Sequence, residues 1–218
     1  MKQFVVIGLG NFGFNVAAAL ARKGFEVLAI DRNGRKVEDI KELVTQAVIA
    51  DATDKEALAE IVPDTVDAVI VGTGDNLEAS ILITLALKEL KVKQIIVKAV
   101  SAQHARALEL IGATEVVQPE RDMAVSLAER LTTPNVLNTI ALSPEYTIAD
   151  VGTPEAFWGK TLQELQLRTR FNVLVIAVHD VLQNRTHIVP GPDFKVGPDT
   201  ILTVLGRYED IAQMTKSG

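Results

Sequence analysis

Apolar residues fall along this chain in short runs separated by stretches of helical period. Runs at 4–7, 26–30, 46–49, 67–71, 94–97 and 115–117 are dominated by Val, Ile, Ala and Phe. Between them, 13–23, 34–43, 55–61, 76–90 and 102–111 carry apolar residues at the three- and four-residue spacing of a helix face. Strands that alternate with helices in this way form parallel βαβ units, buried between two helical layers. The pattern predicts an α/β fold with a doubly wound parallel six-stranded sheet, in the order 3-2-1-4-5-6. Gly24, Gly112 and the segment 90–93 stand where the intervening helices have to stop.

Beyond residue 117 the pattern changes. Residues 120–131 read as an amphipathic helix with Met123, Ala124, Leu127, Ala128 and Leu131 on its apolar stripe. Pro134 ends it by pushing Thr133 out of helical geometry. Segments 173–178, 186–189 and 200–205 read as strands, and 161–167 and 208–214 as short helices. Pro190-Gly191-Pro192 and Val196-Gly197-Pro198 mark turns. The expected organisation is a first domain over 1–134, with a crossover helix at 120–132, then a small α+β domain over 138–218.

The first strand and helix meet at Gly8-Leu9-Gly10-Asn11-Phe12-Gly13, and Asp31 closes the second strand eighteen residues past Gly13. Strand, glycine turn, helix, strand and acid, in this order, are the dinucleotide fingerprint of a Rossmann-type sheet. Gly8 allows a tight turn, Gly10 lets a pyrophosphate approach the backbone, and Gly13 lets the helix pack close to the sheet. The amides and dipole at the helix N-terminus favour an anion. Asp31 is expected to accept hydrogen bonds from both ribose hydroxyls and to disfavour a 2′-phosphate, an exclusion that Arg32 weakens. Asp51, Ala52 and Thr53 follow the third strand, and Gly72-Thr73-Gly74 the fourth, at the strand ends where open parallel sheets take ligands. Their small side chains leave room for an adenine ring. Asp51 and Thr53 read equally as contacts or as loop formers, while Asp54, and Asp75 or Asn76, read as helix caps.

Composition narrows the function. Of 218 residues, 48% are hydrophobic, enough for a sizeable core, and the net charge is −6. The absence of cysteine excludes disulfides, thiolate catalysis and cysteine metal sites. The apolar runs are too short to cross a bilayer, and the start reads as strand and turn rather than leader, so a soluble cytoplasmic chain is expected. The negative charge argues against nucleic acid, and no basic helix-turn-helix pattern supports a redox-sensing repressor. Catalytic signatures are sparse. Neither Tyr146 nor Tyr208 has a lysine four residues on, His104 reads as part of a solvated helix face, and His179 as a strand end. No nucleophile elbow or paired carboxylates stand out. The nucleotide is therefore expected to act as a signal and not as a consumed cofactor, with a small NAD-dependent oxidoreductase as the alternative.

Several segments together resemble the RCK (regulator of potassium conductance) family, and within it the stand-alone subunits of Ktr/Trk-type potassium transporters. They are residues 4–13, Ala50-Asp51-Ala52-Thr53-Asp54, Glu78-Ala79-Ser80-Ile81-Leu82, Val97-Lys98-Ala99 and Ile111-Gly112-Ala113. Gln118-Pro119-Glu120-Arg121-Asp122-Met123-Ala124 is the most specific, and Gly159-Lys160-Thr161-Leu162 with 165–168 extends the likeness into the C-terminal half. The resemblance implies a cytosolic regulatory subunit, not an enzyme. Its dimers would assemble into an octameric ring beneath a membrane-embedded potassium-translocating partner. It implies ATP, ADP or NAD(H) at the glycine turn, with Asp31 on the ribose, Asp51 and Thr53 near adenosine, and Lys98 facing phosphate. Glu120 would approach the ligand at the dimer boundary through a divalent cation, Mg2+ or Ca2+. Read from the residues alone, Lys98 is a solvent-facing strand-end cation and Glu120 an acid favoured by a helix N-terminus. Some relatives bind cyclic di-AMP between C-domains; Val175, Ile176, Arg185, His187, Ile188 and Pro190 would carry that role. Close relatives often hold the terminal phosphate with an arginine where this chain has the uncharged Asn11, which weakens the expected preference for ATP over ADP.

Overall fold

The computed structural model describes residues 2–73, 76–133, 135–143 and 145–216. It divides into two compact units, Met1–Arg121 and Asp122–Gly218. The division falls inside the helix expected as a crossover, so most of that helix belongs with the second unit.

In the first unit, β1 (Gln3–Ile7), β2 (Glu26–Asp31), β3 (Gln46–Ile49), β4 (Ala68–Val71), β5 (Ile95–Lys98) and β6 (Glu115–Val117) form one parallel sheet. Its order is β3-β2-β1-β4-β5-β6, as the strand–helix alternation predicts. The helices between them are α1 (Asn11–Arg22), α2 (Gly34–Ile40), α3 (Lys55–Ile61), α4 (Leu77–Glu89) and α5 (Ala102–Ile111). Alternate side chains of each strand enter opposite cores. Val5, Ile7, Val69, Val71, Ile95 and Val97 pack with Leu58, Ile83, Leu87 and Leu108 of α3, α4 and α5. Val6, Val27, Ala29 and Ile70 pack with Ala17, Val37 and Ile40 of α1 and α2. Both faces are thus covered, and the strand ends are left as the open rim. Helix ends are set locally: Asn33, Asp54, Asn76 and Ser101 cap α2, α3, α4 and α5 through their side chains. Gly24 follows α1 with φ +81°, and Gly112 closes α5 with φ +129°.

Helix α6 spans Pro119–Thr132. Its expected apolar stripe is exposed: Met123, Leu127 and Leu131 all lie open, with Val125 beside them.

The second unit is an antiparallel sheet of β7 (Val136–Ala141), β8 (Tyr146–Gly152), β9 (Leu174–Asp180), β10 (Arg185–Ile188) and β11 (Thr200–Arg207), ordered β10-β9-β11-β8-β7. Helices α7 (Leu162–Leu165), α8 (Leu167–Phe171) and α9 (Tyr208–Lys216) complete it. Its own core centres on Phe157, Leu165, Phe171, Val178, Leu202 and Met214. Strands β7 and β8 were not expected. The inward face of β8 is Thr147, Ala149 and Val151, too small and polar to register as an apolar run. The single helix expected at 161–167 is two short helices, because Gln166 adopts a left-handed conformation at φ +48° between them. No helix among the described residues is long and apolar enough to cross a membrane.

Candidate functional site

The carboxyl ends of β1, β2 and β4 surround a cavity of about 200 Å3 lined by Gly8, Asp31, Asp51, Thr53, Thr73 and Ala79, among others. A second, larger hollow of about 510 Å3 adjoins the start of α1, lined by Gly10, Asn11, Phe12, Lys36, Lys98 and Glu120, among others. Gly10, Gly72 and Lys36 line both. Together they bring ten of the expected site residues onto one rim: Gly8, Gly10, Asn11, Phe12, Asp31, Arg32, Asp51, Thr53, Lys98 and Glu120, with Ala52 buried at its back. Gly13 lies beneath, in the core. Gly74 lies outside the described residues.

The three glycines separate by cause. Gly8 sits at φ +88°, and a Cβ there would stand 2.6 Å from Thr73 Cγ2. A Cβ on Gly13 would stand 2.0 Å from the carbonyl oxygen of Gly8, so the first turn of α1 lies on the β1 turn only without it. Gly10 is different: a Cβ there meets nothing within 4 Å. The protein's own packing explains Gly8 and Gly13 and leaves Gly10 unexplained.

Gly10 is also the N-cap of α1, with no side chain capping the helix and no acid in its first turn. Every other helix of this sheet described above is capped by a side chain, so α1 alone presents free amides at its start. Such an end attracts an anion. In the neighbouring cavity the hydroxyl of Thr73 is buried with no hydrogen-bond partner among the described residues. A buried unpaired hydroxyl costs stability, and a ligand polar group would remove that cost. Sequence reading did not single out Thr73.

Asp31 is 9% exposed, and its role is wider than expected. Oδ2 accepts from the Leu9 amide at 2.7 Å, and Oδ1 from the Asn33 amide at 2.8 Å. The carboxylate thereby pins the glycine turn to the end of β2, and each oxygen keeps a further lone pair able to accept a hydrogen bond. Lys36 Nζ lies 3.6 Å from Oδ2. Lys36 escaped the sequence reading because its place over the strand end depends on where α2 starts. Asp51 accepts from the amide and hydroxyl of Thr53, at 3.0 and 2.7 Å, and those bonds hold its carboxyl below the usual range. Asp54 caps α3, as expected.

Lys98 is not a solvent-facing cation. It is 8% exposed, with its ammonium 2.5 Å from Glu120 Oε1. The hydrogen bond from Lys98 holds the Glu120 carboxyl below its ordinary value. Glu120 does lie in the first turn of α6, as its residue-level reading expects. The described residues bring no three of His, Cys, Asp or Glu together as metal ligands. Its lone carboxylate, already paired with an ammonium, does not fit a divalent cation within one chain.

His104 is a correction. It was expected on a solvated face, but it is 5% exposed and faces α4, and burial lowers its pKa. The helix register turns it inward while Arg106 stays on the α5 surface side of the count, a choice that mixed polar residues hide. In the second unit, Val175 and Ile176 lie on β9, and Arg185, His187 and Ile188 on the edge strand β10, with Pro190 just beyond. The groove of about 440 Å3 in that unit is built instead from α7, α8 and the start of β9, and shares only Val175 with that set.

Residues 4–119 match the TrkA-N domain and residues 147–217 the TrkA-C domain. The chain belongs to the RCK family. Among its relatives are the Ktr system potassium uptake proteins C and A of Bacillus subtilis (strain 168). This RCK chain is 38% identical to protein C over 99% of its own length and 96% of the relative's, and 37% identical to protein A over 100% and 97%. Among solved structures it resembles the GsuK RCK domain with a TM-score of 0.69 and 19% identity, covering 99% of this chain. It spans 47% of that GsuK chain, just under half its length. GsuK bound to ADP matches 60% of this chain and 34% of its own, at 28% identity and a TM-score of 0.53.

Proposed function

We propose that this RCK chain is a cytoplasmic regulatory subunit of a potassium uptake system. It binds an adenine nucleotide at the rim of the parallel sheet and thereby controls potassium flux through a membrane-embedded partner. One observation carries the ligand assignment: the uncapped start of α1 at Gly10, a glycine that the protein's own packing does not require. The nucleoside belongs in the cavity of Asp31, Thr53 and Thr73. The phosphates belong at the α1 amides, within reach of Lys98 and Lys36. The ADP-bound GsuK relative and the Ktr potassium uptake relatives support the same reading. ADP and ATP, with NAD(H) as a further candidate, share the adenosine diphosphate portion on which it rests.

The ligand is recognised rather than transformed. The described rim offers carboxylates and ammonium groups, but its histidine, His104, is buried behind it and already hydrogen-bonded on both ring nitrogens. Regulation follows from population shift: a nucleotide moves the assembly only by binding one arrangement better than another. Lys98 offers a way to do so, because a ligand phosphate would compete with Glu120 for its ammonium. The exposed apolar face of α6 fits self-association into a ring.

Calorimetry with ATP, ADP and NAD(H), joined to light scattering with and without the ligand that binds, tests the proposal. Micromolar binding and an assembly whose mass or shape responds to nucleotide are expected. Indifference to every adenine compound would end the proposal, and steady oxidation or reduction of a substrate with NAD(H) would favour the oxidoreductase.

A further inference from the structure

The site proposed above has two halves on different elements. The nucleoside cavity borders the first turn of α4, through Asn76 and Ala79. The phosphate hollow is closed by Lys98, the last residue of β5. No hydrogen bond of the sheet joins α4 to the backbone that follows Lys98. A chain of side-chain hydrogen bonds does.

Val100, two residues past Lys98, directs its amide to His104 Nδ1 at 3.4 Å. His104 Nε2 lies 2.8 Å from the Ser80 hydroxyl. Ser80 in turn donates to the carbonyl oxygen of Leu77, at 2.8 Å, in the first turn of α4. The donors run in one direction. A backbone amide can only donate, so Nδ1 must be the unprotonated nitrogen. Nε2 then carries the hydrogen and donates to Ser80 Oγ, whose own hydrogen is committed to Leu77. Ser80 is fully buried and His104 nearly so, so the bond between them is shielded from water. Beyond Ala99, whose amide bonds Val117, this link holds the Val100 amide, while the Ser101 carbonyl accepts separately from Gln118 Nε2 at 3.4 Å.

We propose that His104 is a positioning residue for nucleotide binding. Held in its Nε2–H form, it fixes the strand end that carries Lys98 against the first turn of α4, and so sets the distance between the nucleoside and phosphate halves. This rests on the nucleotide site proposed above. It predicts that cutting the chain weakens binding of a ligand that spans both halves more than binding of one that fills the cavity alone. His104 and Ser80 do not themselves line the cavity or the hollow.

The test is calorimetry of ADP and of adenosine on the full-length chain and on Ser80→Ala, His104→Leu and His104→Asn. Ser80→Ala removes one hydroxyl and is the mildest cut; His104→Asn keeps an acceptor for the Val100 amide. Ser80→Ala and His104→Leu should lose about tenfold in ADP affinity, the worth of a charge-assisted hydrogen bond, with adenosine nearly unchanged. His104→Asn should recover part of the loss. Equal losses for both ligands, or no loss for either, in a folded Ser80→Ala would reduce the link to ordinary packing and overturn the inference alone. Failure of the unaltered chain to bind either ligand would overturn the inference together with the nucleotide site beneath it.

Discussion

The glycine turn sets two demands on neighbouring glycines, one from packing and one from open space. Gly13 and Gly10 are three residues apart, yet substitution should affect them in different ways. A Cβ at residue 13 would lie 2.0 Å from the Gly8 carbonyl oxygen, against rigid backbone. Gly13→Ala should therefore cost about 3 kcal/mol or more and lower the melting temperature sharply. A Cβ at residue 10 meets no protein atom within 4 Å. Gly10→Ala should leave the melting temperature nearly unchanged while abolishing ADP binding in calorimetry. A lost binding signal without lost stability is the mark of a ligand contact. Asn11 begins α1 and lines the phosphate hollow, where it brings no charge. Asn11→Arg should raise the ratio of ATP to ADP affinity, since a third phosphate adds negative charge opposite the new guanidinium. An unchanged ratio between the two proteins would remove Asn11 as the cause of weak discrimination. These positions were legible in the sequence because the backbone demands at a strand–turn–helix are local. Lys36 and the unpaired hydroxyl of Thr73 were not, although the strand end that carries Thr73 was, because neither feature exists until the strand ends are assembled side by side.

Among the elements, α5 couples local helix chemistry to stability. Its His104 is buried, and that burial alone lowers its pKa; Ser80 of α4, which faces it, is uncharged. A histidine kept neutral in the folded state takes up a proton first in the unfolded state. Folding stability should therefore fall as pH drops below about 6.5, and the loss should be complete once pH passes the lowered folded value. Asp51 and Glu120 have lowered carboxyl pKa values, so their contributions are lost only at more acid pH. Melting curves between pH 7 and 5 isolate the histidine: the unaltered chain should lose stability across that window, and His104→Asn should be flat. Parallel curves would assign the acid sensitivity elsewhere. The helices and strands of the first unit were legible because strand-length apolar runs alternate with helical spacing and side-chain caps open α2 to α5. Strand β8 was not, since Thr147, Ala149 and Val151 form a core face only once β11 lies beside it. Gln166 hid a break, because a left-handed glutamine has no sequence signature.

At the scale of the whole molecule, the two units have separate cores, and α6 contains the division between them. Met123, Val125, Leu127 and Leu131 leave this helix with exposed apolar side chains, more than a solvated helix needs. Met123→Glu combined with Leu127→Glu should lower the assembly mass seen by light scattering while circular dichroism stays unchanged. Assembly of full mass in that variant would assign self-association to another surface. The order of residues alone sets the alternation of strands and helices, the doubly wound order, the glycine turn and the acid that follows it. Each of these is set by periodicity or by backbone conformations that few residues can adopt. The tertiary structure alone decided which polar groups face one another. Lys98 with Glu120, Asp31 with Leu9, and His104 with Ser80 are pairs between residues that meet only when separate strands and helices stack. Where such a group is buried, as in His104 and Ser80, it must find its partner within the fold, and that sets the donor direction.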